Sequence, residues 1–132
     1  MYKSLFAVVI GGSLGCVIRW VLSMRLNGSF PNLPPGTLLV NLIGGFIIGL
    51  ALAFFVRQPH LDPAWKFFIT TGLCGGMTTF STFSAETTTL LLRAEYGWAL
   101  AAIALHVGTS ILATLAGVAL VGWLATSSGG MA

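Results

Sequence analysis

Charge is scarce in this chain. Only 7% of its 132 residues are Asp, Glu, Lys or Arg, and only three of them are acidic. A typical soluble domain carries roughly 25% charged residues. A chain this short cannot cover a water-facing surface with so few. It would expose apolar patches well above the few hundred Å² that soluble monomers tolerate. Disorder is excluded by the same composition, because it requires low hydrophobicity and high charge. No CxxC, HExxH or P-loop occurs, and the carboxylates Asp62, Glu86 and Glu95 form no i, i+3 or i, i+4 pair. Nothing therefore points to an enzyme. The formal charge of +3 comes from Lys3, Arg19, Arg25, Arg57, Lys66 and Arg93, scattered one at a time. They form no basic stripe of the kind that binds nucleic acid. The two cysteines, Cys16 and Cys74, lie in apolar segments and read as buried thiols, silent on redox compartment.

Apolar residues are abundant instead. They make up 56% of the chain, and the mean hydropathy is +0.95. A membrane-crossing helix needs about 20 mostly apolar residues. The sequence predicts four, at 4–24, 36–56, 64–92 and 97–124. The first could instead be a signal peptide, but its apolar run continues past the poor cleavage pattern at residues 13–16. A retained helix is the better reading. Pro34-Pro35-Gly36 and the polar turn at 58–63 separate the spans. The expected architecture is all-α: one four-helix transmembrane domain over 1–125, then a small polar, flexible tail at 126–132. Four spans place both ends on one side. Lys3, Arg57 and Lys66 then face Arg19, Arg25 and Arg93 across the bilayer, three against three. The positive-inside rule gives no orientation. Either this tie is accidental, or copies insert both ways and pair antiparallel.

The third span is expected to be broken near the membrane midplane. Residues 72–79 read Gly-Leu-Cys-Gly-Gly-Met-Thr-Thr, and adjacent glycines weaken a helix. Irregular backbone at that depth is tolerated only where protein or a wet cavity surrounds it. It frees carbonyls that can bind a cation. The competing account is that the glycines serve close contact between helices. The following residues, Thr78-Thr79-Phe80-Ser81-Thr82-Phe83-Ser84, combine five hydroxyls with two phenyls. Phe80 and Phe83 share a helix face. A phenyl ring has a positive edge, so ring edges beside hydroxyl donors can face a small anion without trapping it. The alternative is that the hydroxyls return to their own i−4 carbonyls while the rings meet lipid.

Polar groups are also embedded in the other spans. Arg19 and Asn41 lie roughly 8 Å from their helix ends, and Glu86 about 10 Å, all on one side. His106 enters from that side and begins an i, i+4, i+8 row with Ser110 and Thr114. Arg19, Glu86 and His106 could share a vestibule, and an Arg19–Glu86 pair is allowed. Interhelical hydrogen bonding is the plainer account for any one of these residues.

The chain resembles the Fluc (CrcB) fluoride channel family over nearly its whole length. Gly12-Ser13-Leu14-Gly15 with Arg19-Trp20, the segment 36–44, and above all the string from Gly72 to Ser84 carry the likeness. Trp20 stands where tyrosine is common in that family. The resemblance implies an antiparallel, dual-topology homodimer in a bacterial inner membrane, with two pores for passive fluoride export. It implies a structural sodium ion at the dimer centre, held by the backbone carbonyls of Gly75 and Thr78. Phe80 and Phe83 match the pore phenylalanines and Asn41 the pore asparagine. Ser81, Thr82, Ser84, Ser110 and Thr114 would supply hydroxyls along the track. Two other readings fit a small four-span chain. A proton-coupled multidrug exporter would need a carboxylate in its cavity, typically in the first span, which has none. A non-transporting assembly subunit would use the polar stripe for packing alone.

Overall fold

The computed structural model describes residues 1–129. Helix α1 runs over Tyr2–Leu26 and passes into a 3-10 turn at Asn27–Ser29. Helix α2 spans Pro35–Arg57. Its first residue is a proline, tolerated there because a helix start needs no N–H. Helix α3, Pro63–Phe67, continues through a π-helical stretch, Phe68–Cys74, into α4, Gly75–Met77. The Asp62 carboxylate opens that rod by accepting the Ala64 N–H at 2.9 Å. Helix α5 spans Phe80–Leu92 and α6 Tyr96–Gly129. No strand occurs among the described residues.

Three helical stretches are long and apolar enough to cross a membrane: Tyr2–Ser29, Pro35–Arg57 and Tyr96–Ser127. Much of their apolar surface faces outward in the single chain, Phe6 at 65% and Leu115 at 58% exposed among it. Such surface suits lipid and not water. The protein is an all-helical, multi-pass membrane protein. Residues 63–92 do not add a fourth continuous helix, because α4 ends at Met77 and α5 begins at Phe80. Helix α6 continues to Gly129, and Thr126 donates to the Trp123 carbonyl at 2.8 Å. Residues 126–129 of the expected tail are thus helical, and residues 130–132 lie outside the described residues.

Glycines set the packing. Helix α1 lies against the π-helical stretch and α4, and α2 packs most extensively on α6. A Cβ at Gly15 would collide with the Leu73 carbonyl, and one at Gly76 with the Gly12 carbonyl. Across the second pair, Gly49 meets the Thr114 carbonyl and Gly117 the Phe46 carbonyl. In lipid, close approach of this kind lets dispersion hold helices together. Gly72 and Gly76 therefore serve helix contact. Gly75 is helical as well, with φ −62° and ψ −36°. Within the expected 72–79 stretch, the extended residues are Thr78 and Thr79.

Candidate functional site

Thr78 has ψ 154°, and Thr79 has φ −149° and ψ 108°. Two extended residues between helices strand backbone groups that a helix would pair. Side chains take up several of them. The Thr79 N–H donates to Asn41 Oδ1 at 2.7 Å, and Asn41 Nδ2 donates back to the Thr79 carbonyl at 3.2 Å. One amide thus does for Thr79 what a neighbouring strand would do. The Thr79 hydroxyl accepts the Thr82 N–H at 3.1 Å, capping α5, and donates to Thr82 Oγ1 at 2.9 Å. It also lies 3.2 Å from Ser81 Oγ. The Thr78 hydroxyl returns to the Cys74 carbonyl at 2.9 Å. Gly44 on α2 leaves room for the Thr78 methyl.

These bonds decide which carbonyls are stranded. In an unbroken helix the Gly75 carbonyl would accept from Thr79 N, and the Thr78 carbonyl from Thr82 N. Both amides are engaged by side chains instead. The neighbouring Gly76 carbonyl accepts from Arg19 Nε at 3.0 Å. The Gly75 and Thr78 carbonyls thus lose the donors that an unbroken helix would give them. Among the described residues, no group of three or more His, Cys, Asp or Glu could hold a metal.

Asn41, Thr78, Thr79, Phe80, Phe83 and His106 border one cleft of about 450 Å³, together with Gly44 and Ser110. Among the described residues, no acidic side chain and no Lys or Arg lines it. Phe80 and Phe83 lie 5.5 Å apart between ring centroids. Phe83 is buried, whereas Phe80 is 77% exposed in the single chain. The His106 ring lies against Phe83 at 4.8 Å, tilted by 31°. His106 is 5% exposed, and its Nδ1 is 3.3 Å from Asn41 Nδ2.

The remaining predicted residues lie around this cleft or apart from it. Thr114 Oγ1 faces the Gly45 and Ser110 carbonyls at 3.0 and 2.9 Å, so its proton serves backbone. Ser84 is half-buried and Ser81 exposed. Arg19 and Glu86 do not pair, and the one ion pair recorded among the described residues joins Lys3 and Asp62 at 4.0 Å. Glu86 Oε1 accepts from the Thr37 hydroxyl at 2.7 Å. That hydroxyl accepts from Asn27 Nδ2 at 3.1 Å, and Asn27 Oδ1 accepts the Thr37 N–H at 3.1 Å. His106 joins Asn41 and Phe83, with no recorded bond to Arg19 or Glu86. Thr37 and Asn27 lie outside the residues expected at the site, and Thr79 enters only as one of the five hydroxyls at 78–84. For Thr79 a signal existed, since a threonine three residues before another can cap a helix. The other two form a contact between loop and helix that carries no local pattern.

Removing the Asn41 amide should be costly. Asn41→Ala leaves a buried N–H and a buried carbonyl of Thr79 without partners, at about 1–3 kcal/mol each. We expect a clear loss of thermal stability in detergent, measured as the fraction surviving heating on size-exclusion chromatography. An unchanged melting profile would contradict the clamp.

Residues 6–118 match the family model described as CrcB-like protein, Camphor Resistance (CrcB). The chain belongs to the CrcB family. Curated CrcB relatives carry the name fluoride-specific ion channel FluC. The protein from Escherichia coli O1:K1 is 63% identical over 117 residues, covering 89% of this chain and 93% of the relative. That of Erwinia tasmaniensis is 62% identical over 124 residues, covering 94% and 99%. That of Nitrosomonas europaea is 50% identical over 127 residues, covering 96% and 100%.

Proposed function

We propose that this CrcB-family chain is a fluoride-specific ion channel, a non-enzymatic pathway for passive fluoride export that relieves fluoride toxicity. What carries the reading is identity of 50–63% to relatives of that name over nearly full length. The cleft is chemically suited to the task. Fluoride is small and strongly hydrated, so a pore must replace its water with donors. Hydroxyls, an imidazole and phenyl edges do this without a full positive charge that would hold the ion. The proton-coupled exporter gains no support, because no carboxylate lines the cleft.

The working unit in this reading is an antiparallel, dual-topology homodimer in the bacterial inner membrane. Residues 63–92 act as one span interrupted near the midplane. Gly75, Phe80 and Ser81 are exposed in the single chain. Lipid offers no partner for their polar groups, whereas a second copy would. The balanced basic residues favour neither orientation. Sodium fits the break, where the Gly75 and Thr78 carbonyls would be its ligands. When bound, it supplies a fixed positive charge that holds the two irregular segments together. Phe80 and Phe83 line the path, and Asn41, Ser81, Thr82, Ser84, Ser110 and Thr114 belong to its polar wall. Glu86 lies toward the entrance, whereas Arg19, bonded to the Gly76 carbonyl, lies beside the break.

The test is purified protein in liposomes with a fluoride electrode, and valinomycin to carry potassium as counter-charge. Fluoride should leave rapidly and chloride should not. Absent fluoride release, or equal chloride release, would overturn the reading. Replacing all sodium by a large organic cation should slow release, and indifference to prolonged depletion would remove the sodium site.

A further inference from the structure

The turn between α5 and α6 closes tightly. The Ala94 N–H donates to the Leu91 carbonyl at 3.0 Å, and the Glu95 N–H to the Leu90 carbonyl at 2.9 Å. This pair of bonds ends a helix when the residue after its last turn lies in the left-handed region. Ala94 does so, with φ 59°, the one non-glycine residue of positive φ among the described residues. The Glu95 carbonyl then accepts the Ala99 N–H at 3.0 Å as α6 begins. The Glu95 backbone is thus bonded on both sides. Its carboxylate, in contrast, has no hydrogen bond or ion pair among the described residues. Arg93, two residues earlier on the same turn, is equally unpaired. Two opposite charges therefore stand on one fixed turn without meeting each other.

Aromatic rings accompany the carboxylate. Ala94, Glu95, Tyr96 and Trp98 border a second cleft, of about 570 Å³. Phe30, between α1 and α2, packs against Trp98 with ring centroids 5.4 Å apart and planes at 70°, which holds the indole. Tyrosine and tryptophan side chains gather at the headgroup level of a bilayer. A carboxylate beside electron-rich ring faces suits an ammonium group. Leu92 and Leu100, one on each helix next to the turn, are 84% and 69% exposed. Such surface suits acyl chains, which a soluble amine lacks.

We propose that this cleft binds the headgroup of a phospholipid that bears a primary ammonium. Glu95, Tyr96 and Trp98 take the ammonium, and Arg93 matches the phosphate. A zwitterionic headgroup thus answers both unpaired charges of the turn. The proposal is independent of the fluoride reading, since the cleft shares no residue with the one bordered by Asn41 and Phe83.

Native mass spectrometry tests it, on purified protein released from micelles holding equal phosphatidylethanolamine and phosphatidylglycerol. Both lipids carry a phosphate, but only the first carries an ammonium. The protein should retain the first about fivefold over the second, the combined effect of an exposed ion pair and a cation–π contact. Glu95→Gln should bring the ratio close to one, and Tyr96→Leu should lower it. Asp62→Asn removes a carboxylate from the turn before α3, keeps a capping side chain there, and should leave the ratio unchanged. Equal retention of both lipids by the wild type would overturn the proposal. So would a full preference in Glu95→Gln, or its loss in Asp62→Asn. Excess ethanolamine should leave the lipid bound; complete displacement would make the ligand a soluble amine and overturn the lipid assignment. Weakened association between copies in Glu95→Gln, with the lipid ratio unchanged, would give the cleft to a second copy of the chain and overturn it as well.

Discussion

Fluoride efflux from liposomes is expected to fall at least about tenfold in Phe80→Ile and in Phe83→Ile, with both proteins still folded. The expectation follows from what isoleucine retains and what it lacks. It fills much of the volume of a phenyl ring and stays apolar, but it has no electropositive edge. An edge contact of roughly 1.4 kcal/mol corresponds to a factor of ten in rate. In a site with little water the contact is stronger, because the dielectric is low. The two positions differ in a useful way. Phe80 is 77% exposed in the single chain, so its loss removes little packing within the subunit beyond its contact with Phe83. Phe83 is buried and lies against the His106 ring. Its replacement also loosens the imidazole and should be the more damaging of the two. Size-exclusion profiles matching the wild type, measured beside the fluoride electrode, would assign the loss to conduction. Full efflux in both variants would remove the rings from the pathway.

Gly49→Val is expected to abolish the folded protein. A Cβ at this position would run into the Thr114 carbonyl, with the Thr114 carbonyl carbon at 2.9 Å and its Cα at 3.1 Å. All three obstacles are backbone, so no side chain can swing aside. Helix α6 would have to move away from α2, and overpacking of that kind costs roughly 3 kcal/mol or more. The Thr114–Gly45 bond would break with it. Gly122→Ala is the matched control, because nothing lies within 4 Å of a Cβ there. Yield and thermal survival in detergent should collapse for Gly49→Val and hold for Gly122→Ala. Equal stability of the two would refute the close α2–α6 packing.

The sequence made the solvent legible, because hydropathy depends on composition alone. Three apolar helices follow the predicted spans at 4–24, 36–56 and 97–124 with only small shifts at their ends. The lining of the cleft was legible in part. Asn41, Phe80, Phe83 and Ser110, all nominated from type and spacing, border one cleft. Their division of labour was not. The glycines at 72–76 looked like the irregular point, yet what a glycine does depends on what stands opposite it. Here that is α1, which lies far off in sequence. The irregular residues are Thr78 and Thr79, which the Asn41 amide holds extended from another helix. Arg19 and Glu86 were drawn together by opposite charge and similar depth. Each instead has a neutral partner, the Gly76 carbonyl and the Thr37 hydroxyl. Depth along a helix says nothing about direction around it, and direction decides the partner.

The order in which the close-packed partners leave the ribosome has a consequence for assembly. Helix α1 lies against residues 68–77, and α2 against α6, so neither of the first two spans packs most closely on the other. During synthesis each must wait for its most extensive partner until a segment far downstream is made. A strongly apolar span can wait in lipid without help. Residues 63–92, with their many hydroxyls and Glu86, emerge when α1 is already in place to receive them. The segment least able to enter a membrane unaided is thus the one whose partner precedes it.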